Sequence, residues 1–406
     1  MAKVALLGHG VVGSGVAEVL MKNAGSIAKR AGEGIEIKYI LDIRDFPGLE
    51  YSDRFVRDYD VIEHDPEIEV VIEVIGGIKP AYEFVSRAIL AGKSVVTSNK
   101  ELVAARGAQL LELATQNGVK FLFEASVGGG IPIIRPMHQC LAANELDGIT
   151  GILNGTTNYI LTKMAKDHAP FDETLKMAQQ LGYAESNPAA DIEGTDACRK
   201  ICILASLAFG RHIYPEYVHT EGITRISSQD MAAAAAMGAT VKLLGVARKA
   251  EDGREFILVA PFVVPHDHVL SNVEDVFNGI LVTGDAIGEV TFFGRGAGKL
   301  PTASAVVADI IDCVKHRAEG NNIQWKDPGA DITADYKTVK IARLVRIPKQ
   351  DREGLIKKAV LREVPSAQPD ECWLETPPIT EVEFINMFGQ VHVLSMLRII
   401  GRTDFI

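Results

Sequence analysis

The sequence predicts an α/β fold in which a parallel sheet, covered by helices on both faces, is followed by an α+β region. Three observations predict it. Short apolar segments alternate with helical segments up to about residue 130, as expected for strands buried on both faces. A glycine-rich turn follows the first of these strands. From about residue 148 the strands EFILVAPFVV and GILVTGDAIGEVTFFG have a hairpin-like pattern and are not separated by helices.

The opening segment KVALLGHGVVGSGVAEVL combines a buried strand, a turn and the start of a helix. Gly8, Gly10 and Gly13 match G-x-G-x-x-G in the setting that makes this motif meaningful. The first glycine permits a tight turn, the second lets the backbone approach a pyrophosphate, and the third lets the helix pack on the strand. The helix N-terminus offers free N–H groups to phosphates. The segment therefore predicts a Rossmann-type dinucleotide-binding domain, with His9 at the first variable position unexplained.

The residues that end the second strand, IEIKYILD, bear on the choice of dinucleotide. Asp42 lies where an acid hydrogen-bonds a ribose 2′-OH and repels a 2′-phosphate, which favours NAD. Arg44 follows two residues later, on the same side of an extended chain. Its guanidinium can bind a 2′-phosphate, which favours NADP, or neutralise Asp42. The residues alone leave the choice open.

Polar residues follow the later strands of the predicted parallel sheet, EVVIEVIGG, KSVVTSNK and VKFLFEAS. Ligands of such sheets bind beyond the carboxyl ends of the strands, where Ser98, Lys100 and Glu124 lie. The alternative for Lys100 is a solvated lysine at a helix start, a poor position for a cation relative to the helix dipole. Lys100 is therefore a candidate site residue.

The stretch AQQLGYAESNPAADIEGTDACRK joins two predicted helices through an acidic loop. Gly182 is placed to cap the first helix, and ACRKICILASLAFG predicts the second. Asp196 and Lys200 are four residues apart and share one helix face. A surface ion pair there would add ~0.2–0.5 kcal/mol to the helix. Because this helix leaves almost no solvated face, Lys200 is equally a candidate proton-transfer group with a pKa tuned by burial.

The pattern A-x3-G-Y-A-x2-N-P-x2-D-I-x-G-x-D-x3-K, filled from Ala178 to Lys200, closely resembles the signature of homoserine dehydrogenases. TSNKELVA, which contains Lys100, resembles the second lysine motif of that family, and ILNGTTN resembles a polar turn beside its substrate. The resemblance covers about residues 1–320. It implies NAD(P)H-dependent interconversion of L-aspartate 4-semialdehyde and L-homoserine, in the biosynthesis of threonine, methionine and isoleucine.

The resemblance also implies roles for individual residues. Lys200 supplies the proton to the forming alkoxide, Asp196 holds Lys200 and the substrate, and Lys100 completes the catalytic set. Glu185 binds the substrate ammonium group, and Asp191 is the second substrate-binding residue. The implied cofactor-binding residues are Gly8, Gly10, Val11, Val12, Gly13, Ser14, Arg44, Ser98, Lys100, Gly182 and Gly298. Since an arginine after the second strand commonly serves a 2′-phosphate in this family, we expect NADP to be accepted, with NAD used comparably or less.

Three consecutive glycines in FEASVGGGIPIIRP form a turn that can expose carbonyl oxygens, the ligand type that hard cations prefer. Such a run is by itself commonly a simple bend. In the resembling family this segment holds a sodium ion, and the implied ligands are Glu124, Val127, Gly129 and Ile131. The ion would stabilise the hinge between domains and take no part in the chemistry.

We predict a dinucleotide-binding domain over residues 1–130, completed by residues 298–320, and a substrate and dimerisation domain over residues 131–297. The return segment GRGAGKLPTASAVVADIIDCV contains Gly298. Residues 335–406, with the strand KTVKIARLVRI, the helix REGLIKKAVL and the strand–helix pair ECWLETPPITEVEFINMF, predict a small ACT-like domain. The usual Asp-x-Pro-Gly turn is replaced by PKQDREGL, which weakens the expectation of amino-acid feedback.

Composition restricts the class of protein further. The chain of 406 residues is 47% hydrophobic and carries a net charge of -11, which speaks against nucleic-acid binding. Its five cysteines are scattered without CxxC, as in a reducing cytoplasm, and Cys198 and Cys202 are expected in the core. Neither a signal peptide nor a membrane span is expected. From the family resemblance we expect a homodimer.

Two other functions remain open at this stage. An aldehyde-oxidising semialdehyde dehydrogenase on the same scaffold would need a thiolate nucleophile, and no cysteine lies on an evident site loop. A non-enzymatic sensor would use the dinucleotide domain and the tail to bind a nucleotide or an amino acid. An assay with aspartate semialdehyde and reduced cofactor separates these possibilities.

Overall fold

The computed structural model describes residues 1–250, 253–356, 361–366 and 368–401. Its strands are β1 (Ala2–Leu7), β2 (Ile35–Leu41), β3 (Phe55–Val56), β4 (Ile68–Glu73), β5 (Ser94–Thr97), β6 (Phe121–Leu122), β7 (Leu146–Ile152), β8 (His219–Thr220), β9 (Ala239–Lys249), β10 (Glu255–Pro265), β11 (Phe277–Gly284), β12 (Gly288–Arg295), β13 (Ala342–Pro348), β14 (Arg362–Val364), β15 (Glu371–Glu375) and β16 (Ser395–Ile399).

The helices are α1 (Val11–Lys22), α2 (Ala24–Ala31), α3 (Asp60–Glu63), α4 (Lys79–Leu90), α5 (Lys100–Gln116), α6 (Gly155–Asp167), α7 (Phe171–Gln180), α8 (Ala189–Ile192), α9 (Thr195–Phe209), α10 (Ser228–Ala236), α11 (Lys299–Lys315), α12 (Arg352–Ile356) and α13 (Glu381–Phe388). In the part of the chain that the structure describes, no helix is long and apolar enough to span a membrane.

The chain divides into two compact units. The first comprises residues 1–143, 202–215 and 294–330, and the second comprises residues 144–201, 216–293 and 331–406. The first unit therefore contains the residues expected to bind a dinucleotide, including the return segment, except Gly182, which belongs to the second unit. The predicted boundaries at 130, 298 and 335 stay predictions.

The first unit is built on a parallel sheet with the strand order β3-β2-β1-β4-β5-β6. Strand β1 pairs in parallel with β2 on one side and with β4 on the other, so the direction of the strand order reverses beside β1. This is the place where doubly wound sheets bind their ligands. Five of the six residues of β1 are buried, which explains its continuous apolar sequence. The predicted parallel sheet is confirmed.

The second unit contains a mixed sheet in the order β12-β11-β7-β9-β10-β16-β13-β15-β14, with β8 on the side of β10. Strands β9 and β10 pair antiparallel over eleven residues, from Glu255↔Lys249 to Pro265↔Ala239. Ten of the eleven residues of β10 are buried, among them Phe256, Leu258 and Phe262 of the central core cluster. The predicted α+β character of this region is confirmed.

The tail joins this same sheet. Strand β16 pairs in parallel with β10 and antiparallel with β13. The predicted strand and strand–helix pair occur as β13, β15 and α13, and the capping box of Thr380 and Glu383 starts the last helix. The predicted helix REGLIKKAVL is seen as α12, and its residues 357–360 lie outside the described residues. An ACT-like classification of the tail stays a prediction.

Candidate active site

The glycine-rich turn links β1 to α1, and its geometry explains two of its glycines. Gly8 has φ +96°, a left-handed conformation that side chains disfavour. A Cβ atom at Gly13 would lie 2.0 Å from the carbonyl oxygen of Gly8, so only glycine permits this helix–strand contact. A Cβ at Gly10, the N-cap of α1, would meet no described atom within 4 Å. The turn therefore leaves open space at a helix N-terminus, as a bound pyrophosphate requires.

Asp42 follows β2 at the same edge of the sheet. Its carboxylate accepts a hydrogen bond from the main-chain N–H of His9 at 2.7 Å and a bidentate pair from the Arg44 guanidinium at 3.0 and 2.9 Å. These bonds, that of Arg44 above all, hold the pKa of Asp42 well below its usual range. The acid and the base predicted to compete for the cofactor ribose are thus paired with each other, which was one of the outcomes expected for Arg44.

His9, unexplained by the sequence motif, lies in an aromatic cluster. Its ring makes edge contacts with Phe46 and Phe55 at centroid distances of 4.6 and 5.2 Å, and its Nε2 atom lies 3.1 Å from the hydroxyl of Tyr51. Burial lowers the pKa of His9. The ring therefore packs the loop after β2 against the glycine-rich turn. The aromatic residues in the segment DFPGLEYSDRF were the available signal for this cluster.

The carboxyl ends of β4 and β5 meet at Glu73, which sequence reasoning missed. Its buried carboxylate accepts hydrogen bonds from the hydroxyl of Thr97 at 2.6 Å and from the N–H of Ile75 at 2.8 Å. Burial raises the pKa of Glu73. The hydroxyl of Thr97 also accepts from the N–H of Asn99, and Asn99 caps α5 immediately before Lys100. This network holds the segment 98–100, in which Asn99 is buried and its two neighbours are half-buried.

The glycine segment that follows β6 folds around Glu124. The carboxylate of Glu124 accepts hydrogen bonds from the N–H groups of Ile133, Ile134 and Arg135 at 2.6, 2.9 and 2.8 Å. Gly129 has φ +55°, and a Cβ there would lie 2.5 Å from the carbonyl oxygen of Gly296. The segment, which belongs to the first unit, is therefore a turn held by the Glu124 hydrogen bonds and by the close main-chain contact at Gly129.

The carbonyl groups of this turn bear on the expected cation. Among the described residues, no backbone N–H donates to the carbonyls of Val127, Gly129 or Ile131, although all three residues are buried. The described residues also contain no group of three or more His, Cys, Asp or Glu arranged to hold a metal ion. The carbonyl oxygens of this turn are of the ligand type that hard cations prefer.

In the second unit, the acidic loop between α7 and α9 is held at its start by Gly182. This residue has φ +73°, and the N–H of Tyr183 and of Ala184 donate to the carbonyl of Ala178, as in a glycine-capped helix end. The predicted cap is confirmed. The hydroxyl of Thr156 in the NGTTN turn donates to the Tyr183 carbonyl at 2.6 Å, which attaches the loop to that turn.

Asn154 organises the acids of this loop. Its side-chain amide donates to Asp191 at 2.7 Å and to Asp196 at 2.9 Å, while its oxygen accepts from the N–H of Thr157 and caps α6. The side-chain amide of Asn154 therefore holds the carboxylates of Asp191 and Asp196 close to each other. Sequence reasoning noted the NGTTN turn, but it did not predict this bridging role.

Lys200 lies beside Asp196 and is buried. Its ammonium group donates to Asp196 Oδ2 and to the carbonyl oxygen of Leu153, each at 2.8 Å, and its exposed fraction is 7%. A Cβ at Gly245 of β9 would lie 3.1 Å from the Cβ of Ile201, so the absence of a side chain lets α9 approach the sheet closely. The interpretation of Asp196 and Lys200 as a surface ion pair is wrong, since both side chains are buried.

The remaining predicted residues lie as follows. Glu185 is exposed on the loop, and its main-chain carbonyl accepts from the Gln179 amide. Gly298 caps α11 in the first unit with φ +130°. Val11, Val12 and Ser14 form the first turn of α1, where the Ser14 hydroxyl donates to the Val11 carbonyl. Cys198 and Cys202 are buried, as expected.

The comparisons with known proteins agree with this geometry. Residues 8–124 match the model of the homoserine dehydrogenase NAD-binding domain, and residues 132–311 match that of homoserine dehydrogenase. The homoserine dehydrogenase of Synechocystis sp. is 45% identical over 325 residues, covering 77% of this chain and 73% of that protein. The crystal structure of a homoserine dehydrogenase from Thiobacillus denitrificans superposes with a TM-score of 0.90 at 35% identity, covering 98% of each chain.

A further solved structure is informative about the cofactor. A hyperthermophilic archaeal homoserine dehydrogenase in complex with NADPH has a TM-score of 0.65 and 27% identity, covering 77% of this chain and 97% of that one. Fold, glycine-rich turn and matched models define a nicotinamide-dinucleotide-dependent oxidoreductase. More particularly, the chain belongs to the homoserine dehydrogenase family.

Proposed function

We propose that this protein reduces L-aspartate 4-semialdehyde to L-homoserine with a nicotinamide dinucleotide, and catalyses the reverse reaction, in threonine, methionine and isoleucine biosynthesis. The buried pair of Lys200 and Asp196, bridged to Asp191 by Asn154, is the observation that carries the proposal. Both family models that match the chain, and the relative that is 45% identical to it, carry the name homoserine dehydrogenase.

The bound cofactor supplies the redox equivalent, so the protein has to bind, orient and protonate the substrate. We assign Lys200 as the general acid that protonates the oxygen of the aldehyde as it becomes an alkoxide. Its cation also stabilises the developing negative charge, and more strongly in a buried site than in water. Asp196 keeps the ammonium group in place, and the Leu153 carbonyl fixes its direction.

The substrate's ammonium group needs an anionic partner. Asp191 is half-buried and hydrogen-bonded to Asn154, whereas Glu185 is exposed on the loop before Pro188. We propose both as substrate-binding residues, with Asp191 fixed in advance and Glu185 recruited on binding. Lys100 at the start of α5 is proposed as the second catalytic lysine, following the family motif.

The dinucleotide-binding residues fit the group they are proposed to hold. Gly8, Gly10 and Gly13 leave the open space described above, and the N-terminus of α1 faces it. We propose that Arg44 binds the 2′-phosphate of NADP, because its pairing with Asp42 already neutralises the negative charge that would repel that phosphate. An archaeal homoserine dehydrogenase solved in complex with NADPH supports the expectation that NADP is accepted.

We also propose a sodium ion at the glycine segment, held by Glu124, Val127, Gly129 and Ile131. Because the Glu124 carboxylate already accepts three main-chain N–H groups, the main-chain carbonyl is the atom we assign as its ligand. The expected result is a higher melting temperature in sodium than in choline buffer of equal ionic strength, and reduced activity when sodium and potassium are removed. Equal melting curves and activity in both buffers would contradict the site.

The decisive experiment follows the absorbance of NADPH and NADH with aspartate semialdehyde. Turnover to homoserine supports the proposal, and binding of the dinucleotide without turnover would favour the sensor alternative. Cys198, Cys202, Cys313 and Cys372 are poor candidates for a thiolate nucleophile, since they are buried and burial raises the pKa of the last two. Cys140 is exposed, and loss of turnover with a thiol-blocking reagent would favour a thiolate mechanism. A homodimer in the cytoplasm is proposed from the family resemblance, and light scattering on the purified protein tests the dimer.

A further inference from the structure

A short segment of the second unit, residues 219–223, forms the floor beneath the acidic loop. A Cβ at Gly222 would lie 2.1 Å from the carbonyl oxygen of Ile192, and the N–H of Ile223 donates to that same oxygen at 2.8 Å. A Cβ at Gly194 would lie 3.1 Å from the carbonyl oxygen of Glu221. The two backbones are in direct contact, so a displacement of the floor must displace the loop two residues before Asp196.

Glu221 ties this floor to two strands of the sheet. Its main-chain N–H donates to the carbonyl of Val259 in β10 at 2.8 Å. Its carboxylate accepts two hydrogen bonds of 2.8 Å from the guanidinium of Arg398 in β16 and lies 2.7 Å from His219 Nε2. Burial alone would raise the pKa of Glu221, but the hydrogen bonds from His219 and Arg398 lower it to about 2. The carboxylate is therefore ionised and fully engaged.

Arg398 brings the tail into this arrangement. It is 3% exposed and lies opposite Phe262 in the parallel pairing of β16 with β10. The Glu221 side chain is 35% exposed, but the guanidinium of Arg398 is buried, so moving it away from the bidentate pair would leave a buried cation unpaired. The contacts thus run from Arg398 to Glu221 and from there to the loop that carries Asp191 and Asp196.

We infer that Arg398 is a positioning residue for the acidic loop between α7 and α9, and that it acts through Glu221. The inference rests on the proposed function, because it names the tail residue that holds the site in its working geometry. The side-chain hydrogen bonds described for Arg398 go to Glu221, and its contribution is to keep the floor in register with β10. Loss of the pair lets the floor move and weakens substrate binding and catalysis together.

The chain offers a matched control on the neighbouring strand. Arg343 of β13 lies directly opposite Arg398 in the antiparallel pairing with β16 and is 1% exposed. Its guanidinium pairs with Glu381 at 2.9 Å and donates to the carbonyls of Ile341 and Ile379. Arg343→Ala therefore removes a buried arginine ion pair of the tail and no hydrogen bond of Glu221, although Arg343 is near enough to Arg398 and Glu221 to interact with both electrostatically.

The test measures steady-state kinetics and melting temperature for wild type, Arg398→Ala, Arg398→Lys, Glu221→Gln and Arg343→Ala. Coupling through a packed network is worth about 2- to 30-fold, and we expect kcat/KM for aspartate semialdehyde to fall by that factor in Arg398→Ala and Glu221→Gln. The KM for the dinucleotide should not change. Arg398→Lys keeps the positive charge but loses the bidentate geometry, so its kcat/KM should lie between those of wild type and Arg398→Ala. Arg343→Ala should lower the melting temperature and keep wild-type kinetics.

A double-mutant cycle completes the test. If Arg398 acts through Glu221, the double variant Arg398→Ala/Glu221→Gln should be no worse than the more impaired single variant. Additive losses, an equal kinetic loss in Arg343→Ala, or wild-type kinetics in Glu221→Gln would each overturn the inference. Should Arg398→Ala not fold, Arg398→Lys and Glu221→Gln decide the question. A wild-type protein inactive toward aspartate semialdehyde would instead refute the proposed function.

Discussion

The glycine-rich turn and the acidic loop acquire their geometry in different ways. The turn is defined by neighbours in sequence, since the missing Cβ of Gly13 faces the carbonyl of Gly8. The loop is defined by distant residues, because Asn154 lies 37 residues before Asp191 and 42 before Asp196. One site depends on backbone sterics and the other on a buried network of charges. A substitution therefore breaks the first by collision and the second by leaving a polar group unpaired.

The largest effect is expected from Lys200→Ala. General acid–base catalysis contributes roughly 10²–10⁴-fold, so kcat should fall by that factor while the dinucleotide dissociation constant stays the same. Stopped-flow and steady-state assays with NADPH measure both quantities. The variant also leaves Asp196 buried without its cation, at a cost of about 3–5 kcal/mol in the free energy of unfolding. A kcat reduced less than about tenfold in a folded variant would refute the assignment of Lys200.

Lys100→Ala should be severely impaired as well, and near-normal activity would show that Lys100 is a solvated residue.

Gly13→Ala tests the steric half of the comparison. The added methyl group would lie 2.0 Å from a main-chain oxygen, so α1 must move away from β1. A displacement of about 1 Å can cost about a hundredfold in rate, and we expect kcat/KM for NADPH to fall by about that factor. Gly10→Ala is the matched control, because a Cβ there would have no described atom within 4 Å. Equal effects of the two substitutions on protein stability, without cofactor present, would contradict the steric explanation.

Asn154→Ala tests the network half. The variant removes the amide that bridges two carboxylates, and hydrogen bonds to charged groups are worth about 1.5–3 kcal/mol. We expect a 10- to 100-fold loss, roughly, in kcat/KM for aspartate semialdehyde, with an unchanged KM for NADPH. Because Asn154 also caps α6, Asn154→Ser serves as control, since serine keeps the cap but cannot donate to both acids. Full activity of Asn154→Ser would mean that only the cap matters.

Arg44→Ala should have the smallest effect and should change specificity. Losing a charge-assisted contact to the 2′-phosphate is expected to lower the NADP-to-NAD ratio of kcat/KM by about tenfold. Asp42 then loses the partner that lowers its pKa but stays ionised at neutral pH, so it repels the phosphate in addition. An unchanged ratio would show that Arg44 does not bind the phosphate. Kinetics with both cofactors, for wild type and variant, provide the measurement.

Features that depend on local sequence were predictable. The parallel strands, the end of β2 before Asp42, the Gly182 cap and the shared face of Asp196 and Lys200 follow from residue type and spacing. The two-residue strand β3 and the helix α2 were not predicted. A strand of two residues carries no periodicity, and α2 follows α1 after a single residue, so that neither has a distinct boundary in the sequence.

Long-range polar contacts were not predictable. In the sequence, Glu73 is a single acid at the end of an apolar strand. Only the fold brings the hydroxyl of Thr97 and the N–H of Ile75 to its carboxylate. Arg398 and Glu221 are 177 residues apart and pair because β16 adds to the edge of β10. Nothing in the tail sequence indicates which strand it joins, since many strand pairings satisfy the same apolar pattern.

The sequence by itself determined the fold class, the dinucleotide motif and the family, because these depend on periodicity, glycine positions and a long signature with fixed spacing. The tertiary structure alone decided how the site residues are partnered. It buried Lys200 beside Asp196, joined two acids through Asn154, and paired Arg44 with Asp42. The physical reason is that burial and partner choice set the cost and the pKa of a charged group, and both are properties of distant chain segments packed together.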